Sequence, residues 1–261
     1  MIWNYFLLTA GVSSASWLVA AFIPKRELLR NALVFTGILS IALFIGFLWN
    51  QLERPPLRTL GETRLWYSFF LPLIGFITYW RWRYNWMLYY SLALSLLFLF
   101  INYLHPENFS KTLMPALQSP WFVPHVVVYI FAYAFLAASS LVAIRGLYQV
   151  HKNQFQSKVM LMADNLVYLG FAFLTLGLLF GALWAKEAWG HYWTWDPKET
   201  WAFITWMGYL VYIHRRYQMP SKYKSSLWIL ALAFVILLVC WFGVNYLPSA
   251  QFSVHTYSQA P

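Results

Sequence analysis

Five of the sixteen tryptophans, Trp184, Trp189, Trp193, Trp195 and Trp201, fall within WAKEAWGHYWTWDPKETW, beside His191 and Tyr192. Large rings gathered around a glycine, Gly190, can build a platform for a flat apolar ligand. The end of the stretch also reads as a helix start. Asp196 stands as N-cap, Pro197 at the first helical position, and Glu199 closes a capping box. Asp196 therefore has a structural task whatever else it does. Indole rings also collect at the headgroup level of a membrane. A belt of that kind needs one or two rings per span, and four in thirteen residues exceed it.

Histidine supplies the second possible chemistry. The chain holds His105, His125, His151, His191, His214 and His255. His125 follows Pro124 at the mouth of an apolar run, and His255 lies in the tail after the last one. These two flank the tryptophan stretch in sequence. Two neutral imidazoles facing one another can fill both axial positions of a haem iron, with aromatic side chains against the ring. Non-haem iron would normally recruit carboxylates. The acids on that side are few, and no HExxH or HxxEH spacing occurs, which argues against a zinc hydrolase. His214 lies thirteen residues past Trp201, ~20 Å along a helix at ~1.5 Å per residue, too far to share an iron with His125 and His255. Its position supports two readings: an interfacial residue beside Arg215 and Arg216, or a second site on a pathway through the membrane. His191 could touch a ligand without binding metal. His151 reads as solvated and His105 as a boundary residue.

These residues need a membrane to position them. Hydrophobic residues make up 61% of 261 positions and charged ones only 10%, and mean hydropathy is +0.54. Soluble domains carry about 25% charged residues. The expected fold is all-α and polytopic, with about eight spans: 2–23, 31–49, 65–80, 86–104, 122–145, 163–185, 201–217 and 226–247. The third is the weakest, being short and holding Pro72. The first lacks a basic leader and is followed by its charges, so it reads as a retained helix rather than a signal peptide. Of the eighteen Lys and Arg, twelve lie on one side of these spans and six on the other, which puts the tryptophan stretch, His125, His255 and both termini outside the cytoplasm. Almost no charge falls within the spans.

The net charge of +10 sits in short inter-span loops, as topology signals do, and gives no phosphate-binding face, so no nucleic-acid partner is expected. Cys240 is alone in an apolar run and reads as a small core residue. There is no thiol redox pair, Ser-His-Asp arrangement, phosphate-cradling glycine loop or dinucleotide fingerprint. Arg54, Arg58, Arg64 and Lys198 are outer cations that could meet two carboxylates of a ligand. No internal repeat or separate soluble domain is visible. The chain divides most simply into a four-helix region over 1–110 and a region over 111–261 that holds the tryptophan loop and the outer histidines, the two forming one integrated domain.

WGHYWTWDPKETWAFITWMGYLVYIHRR closely resembles the tryptophan-rich WWD-type signature of the CcsA/ResC proteins of system II cytochrome c maturation, shared more loosely with CcmC and CcmF. LQSPWFVPHVVVYIFAY and FGVNYLPSAQFSVHTY are similar to the family segments that hold two extracytoplasmic histidines, which fall on His125 and His255. His214 matches the histidine of a family YxHxR segment implicated in a membrane-embedded haem site. The resemblance covers residues from about 112 to 257. TLGETRLWYSFF is similar to an acidic and aromatic segment after the second span, with Glu62 as its acid.

What the resemblance implies is haem handling in a bacterial cytoplasmic membrane, with the working face outside. Haem b would be bound with His125 and His255 as axial ligands, against Trp189, Gly190, Trp193, Trp195 and Trp201, with Asp196 setting the loop and His214 at a further site. Its implied partners are a ResB/CcsB-like membrane protein, apocytochrome c with its CxxCH motif, and membrane lipid. If it is an enzyme, its activity is that of a cytochrome c haem lyase working with that partner. Other readings stay open: a haem exporter whose partner performs attachment, a transporter of another amphipathic solute, or a structural membrane subunit.

Overall fold

The computed structural model describes residues 2–110, 112, 114–248 and 253–254. Among them the regular structure is helical: α1 (Phe6–Phe22), α2 (Glu27–Leu52), α3 (Leu60–Trp82), α4 (Asn85–Leu104), α5 (Phe122–His151), α6 (Ser157–Trp189), α7 (Pro197–Gln218) and α8 (Tyr223–Trp241), with short 3-10 turns between some of them. A lone bridge pairs Thr59 with Thr112. Each expected span has its own helix. Six of the eight helices are long and apolar enough to cross a membrane: α1 with its leading turn, α2, α4, α5, α6 and α8. The exceptions, α3 and α7, carry Glu62, Arg64 and Arg81 in one and Lys198, Glu199, Arg215 and Arg216 in the other. The last helix stops at Trp241 rather than 247, and a 3-10 turn over Gly243–Tyr246 follows it.

The chain forms two compact units, Met1–Val123 and Pro124–Pro261. In the first, α1 packs on α2 and α3 on α4. Trp17 is wholly buried and donates its indole N–H to the Val34 carbonyl at 3.1 Å. Gly37 makes room for it, since a Cβ there would lie 2.2 Å from the indole nitrogen. The start of α3 is capped by Thr59 and Glu62 in a reciprocal capping box. Arg30, which reads in sequence as a loop charge, is buried within α2 and lies over the Tyr79 ring at 4.5 Å.

The second unit holds the tryptophan stretch. Ala132 and Leu136 of α5, Val167 and Leu174 of α6, Tyr209 of α7, and Leu230 and Leu237 of α8 share one buried core. At 33 residues, α6 is about 50 Å long, well beyond the ~30 Å of a hydrocarbon layer. Its final turns carry Trp184 and Trp189. Gly190 ends it with φ of 84°, in the left-handed region that glycine enters without a Cβ penalty, and donates its N–H to the Lys186 carbonyl at 3.0 Å.

Candidate functional site

The loop from Gly190 to α7 is shaped by two carboxylates. The capping box expected from Asp196, Pro197 and Glu199 forms. One oxygen of Glu199, Oε2, accepts the N–H of Thr194 at 2.8 Å, the Thr194 hydroxyl at 3.3 Å and the N–H of Asp196 at 3.2 Å. Between Thr194 and Asp196, Trp195 adopts φ of 59°. A bulky residue in the left-handed region costs roughly 1–2 kcal/mol, and the Glu199 bonds on either side hold it there. Trp195 is 62% exposed, so this turn aims a large apolar surface away from the core.

Rings run from the loop into the helices. Trp193 meets Trp195 edge-on at 5.8 Å, and Trp195 meets Phe203 at 5.7 Å. Phe203 stacks on Trp206, which stacks on Phe171 and donates its indole N–H to Thr175. Trp201 is half-buried in the second turn of α7. The indole nitrogen of Trp193 is buried with no hydrogen-bond partner. Such a donor inside an aromatic loop suits a ligand that brings an acceptor.

His125 stands in the first turn of α5 and packs against α6. Its ring meets Tyr129 edge-on at 4.7 Å and lies 5.4 Å from Trp184, which in turn lies 4.9 Å from Trp189. The approach is close because α6 offers glycines there. A Cβ on Gly177 would fall 2.6 Å from the Tyr129 ring. His125 Nδ1 lies 2.8 Å from the Gly177 carbonyl oxygen. A carbonyl only accepts, so Nδ1 carries the proton and donates it. In the neutral ring Nε2 is then left with its lone pair, the arrangement in which metal-ligating histidines are commonly held. The four residues sit at matching spacings, Gly177 and Gly181 against Tyr129 and His125. Sequence reasoning passed over this G-x-x-x-G pattern, a recognisable close-packing signal in an apolar helix.

The other expected site residues are distributed as follows. His255 lies outside the described residues. The two residues before it, Ser253 and Val254, are described: the Ser253 hydroxyl donates to Asp196 Oδ1 at 3.0 Å and the Val254 N–H to Asp196 Oδ2 at 2.9 Å. Asp196 is itself buried and also caps α7 by accepting the Lys198 N–H at 2.8 Å. His214 is exposed on α7. His191 is exposed in the loop. Among the outer cations, Arg54 is already engaged, with two 3.0 Å bonds to the two oxygens of Glu62. That bidentate pair removes Arg54 as a free cation for ligand carboxylates.

A half-buried charge inside an expected span was also missed in sequence. Asp164, inside the sixth expected span, accepts the Tyr212 hydroxyl at 2.7 Å and a forked contact from Arg216, with Nε at 3.0 Å and Nη2 at 2.9 Å. The spans are therefore less free of charge than expected, and the reason the acid is tolerated is that its partner faces it from α7. Among the described residues, no three His, Cys, Asp or Glu side chains cluster to hold a metal ion.

These features define a helical protein with six helices long and apolar enough to cross a membrane, an aromatic loop, and a histidine whose Nδ1 donates to a backbone carbonyl. A family model described as Cytochrome C assembly protein matches residues 57–250. The chain is 32% identical to the cytochrome c biogenesis protein CcsA of Cuscuta reflexa, over 91% of this chain and 85% of that one. It is 30% identical to CcsA of Helianthus annuus over 85% and 83% of the two chains, and 35% identical to CcsA of Solanum lycopersicum over 58% and 59%. The chain belongs to the cytochrome c assembly protein family, in its CcsA group. The solved structure of cytochrome c haem lyase CcmF shares its fold, with a TM-score of 0.50 at 19% identity over 92% of this chain. This chain spans 46% of that structure's length.

Proposed function

We propose that the chain acts in cytochrome c biogenesis by binding haem and presenting it at the outer membrane face for covalent attachment to apocytochrome c. The observation that supports this most is the His125 Nδ1 contact with the Gly177 carbonyl, which leaves Nε2 as the ligating atom. In this reading His125 and His255 are the axial ligands of a b-type haem. Trp189, Gly190, Trp193, Trp195 and Trp201 cover the ring, Asp196 holds the loop, and His214 serves a separate site along the membrane path. A thiol of the CxxCH motif adds across a haem vinyl group: a sulfur–carbon bond forms at one vinyl carbon and the thiol proton passes to the other, with no net change of oxidation state. The cytochrome histidine then replaces one axial imidazole, which links attachment to release.

The membrane setting that goes with this reading has eight spans, both termini outside, and a bacterial cytoplasmic membrane as host. Residues 1–110 support, and residues 111–261 handle haem. A ResB/CcsB-like protein is the partner.

The test is the reduced absorption spectrum of the chain co-expressed with that partner and purified in detergent. A sharp low-spin spectrum, weakened in His125→Gly and in His255→Gly and restored by imidazole, is the expected result. Spectra unchanged in both variants would move the haem to His214 or the partner, and a protein without haem would overturn the proposal. A reconstituted assay with an apocytochrome peptide then separates a lyase from an exporter.

A further inference from the structure

We infer that the end of the second unit remote from the tryptophan loop holds a site for a phosphate group, carried either by an anionic lipid headgroup or by a free phosphate. Arg215, at the end of α7, and Lys222 and Lys224, at the start of α8, line a cavity of about 580 Å³. The 22 residues of α7 put it ~33 Å along the helix from Asp196, so it is separate from the aromatic loop. His214 is not in its wall, and neither is any carboxylate. Among the described residues, none of the three cations is in an ion pair. The acid at this end of α6, Asp164, is already engaged by Arg216 and Tyr212. Three positive charges around one cavity therefore leave it short of an anion.

The wall suits that guest. The Arg215 guanidinium is anchored from one side: Nη2 donates to the Ser225 hydroxyl at 3.1 Å, and that hydroxyl donates onward to the Lys222 carbonyl at 3.0 Å. Its Nε is buried without an acceptor, and a guanidinium fork meets phosphate oxygens in pairs. Lys222 begins α8 without a side-chain cap. Tyr223, Lys224 and Ser225, which border the cavity, thus open the helix with N–H groups that have no intrahelical acceptor. A helix of 19 residues adds the positive end of its dipole to the three cations. Apolar surface completes the wall, from Val150 and the exposed Trp228. An indole beside Lys and Arg fits the depth at which lipid glycerol and phosphate lie.

Three variants test the site in the full chain purified in detergent: Arg215→Gln, Arg215→Lys, and Lys222→Gln with Lys224→Gln. Lys152→Gln with Lys158→Gln is the reference, since both lysines are exposed, stand outside the cavity and carry the same charge as the pair in it. One arm titrates phosphatidylglycerol against phosphatidylcholine, whose choline cation the site would repel, and reads bound lipid by native mass spectrometry. The other adds inorganic phosphate and reads the midpoint of thermal unfolding. A headgroup site binds phosphatidylglycerol preferentially in the wild type, and the lysine pair and Arg215→Gln each weaken that binding about tenfold or more. The reference pair stays within about twofold of wild type. Arg215→Lys, which keeps the charge and loses the fork, falls between them. A free-phosphate site shows no preference between the lipids, and inorganic phosphate raises the midpoint of the wild type but not of the lysine pair or Arg215→Gln. Should Arg215→Gln fail to fold, the exposed Lys222 and Lys224 still decide. A wild type that responds to neither probe would overturn the inference. So would an equal loss in the reference pair, which would assign the binding to surface charge alone.

Discussion

Gly181 lies directly under the His125 ring: a Cβ added there would stand 2.8 Å from Cε1 and 2.9 Å from Nδ1. The imidazole is thus held between a hydrogen bond to Gly177 and a surface with no side chain. Gly181→Ala should push the ring off the Gly177 carbonyl while leaving the helices folded. Overpacking of this kind costs typically 1–3 kcal/mol. A drop of about tenfold in haem retention, read from imidazole-reversible loss of the low-spin spectrum, is the expected outcome.

Glu199 Oε2 gathers three donors from Thr194 and Asp196. Glu199→Ala should release the turn and cost about 1–2 kcal/mol, the range for losing a cap. Glu199→Gln, which keeps an accepting oxygen, should cost less. Thermal unfolding of the detergent-solubilised chain would order the three proteins.

Trp195 and Trp184 should respond in opposite senses. Trp195 has positive φ and an exposed ring, so Trp195→Gly relieves backbone strain and should leave stability equal or higher while reducing haem retention. Trp184 is 4% exposed, and Trp184→Ala should lower stability by roughly 3–5 kcal/mol. Melting curves together with haem content separate the two.

The Asp164–Arg216 pair has side chains only 14% and 13% exposed. Removing one partner strands the other, a loss of about 3–5 kcal/mol. Asp164→Leu should therefore depress the yield of folded protein, and Asp164→Leu with Arg216→Met should recover much of it. Size-exclusion profiles of the single and double variants measure this.

Much of the architecture could be read along the chain because its signals are local. An apolar run announces a helix, and Asp196, Pro197 and Glu199 at fixed offsets announce its cap. What escaped reading depends on residues far apart in sequence. Asp164 and Arg216 are 52 residues apart, and each alone looks like a stray charge. The tail bonds to Asp196 span 58 residues, so the capping role was legible and the tail role was not. Gly177 and Gly181 were visible as a pattern, but which ring lay on them was not. Arg54 read as an available cation because its bidentate partner Glu62 was seen only as the acid of a separate motif.

The 33 residues of α6 exceed what a bilayer needs by ~20 Å. A helix with that much reserve meets a thicker or thinner membrane by sliding or tilting, without unwinding. Since Trp184 and Trp189 ride on its end, any such slide or tilt carries both rings, and the loop that follows them, along with the helix.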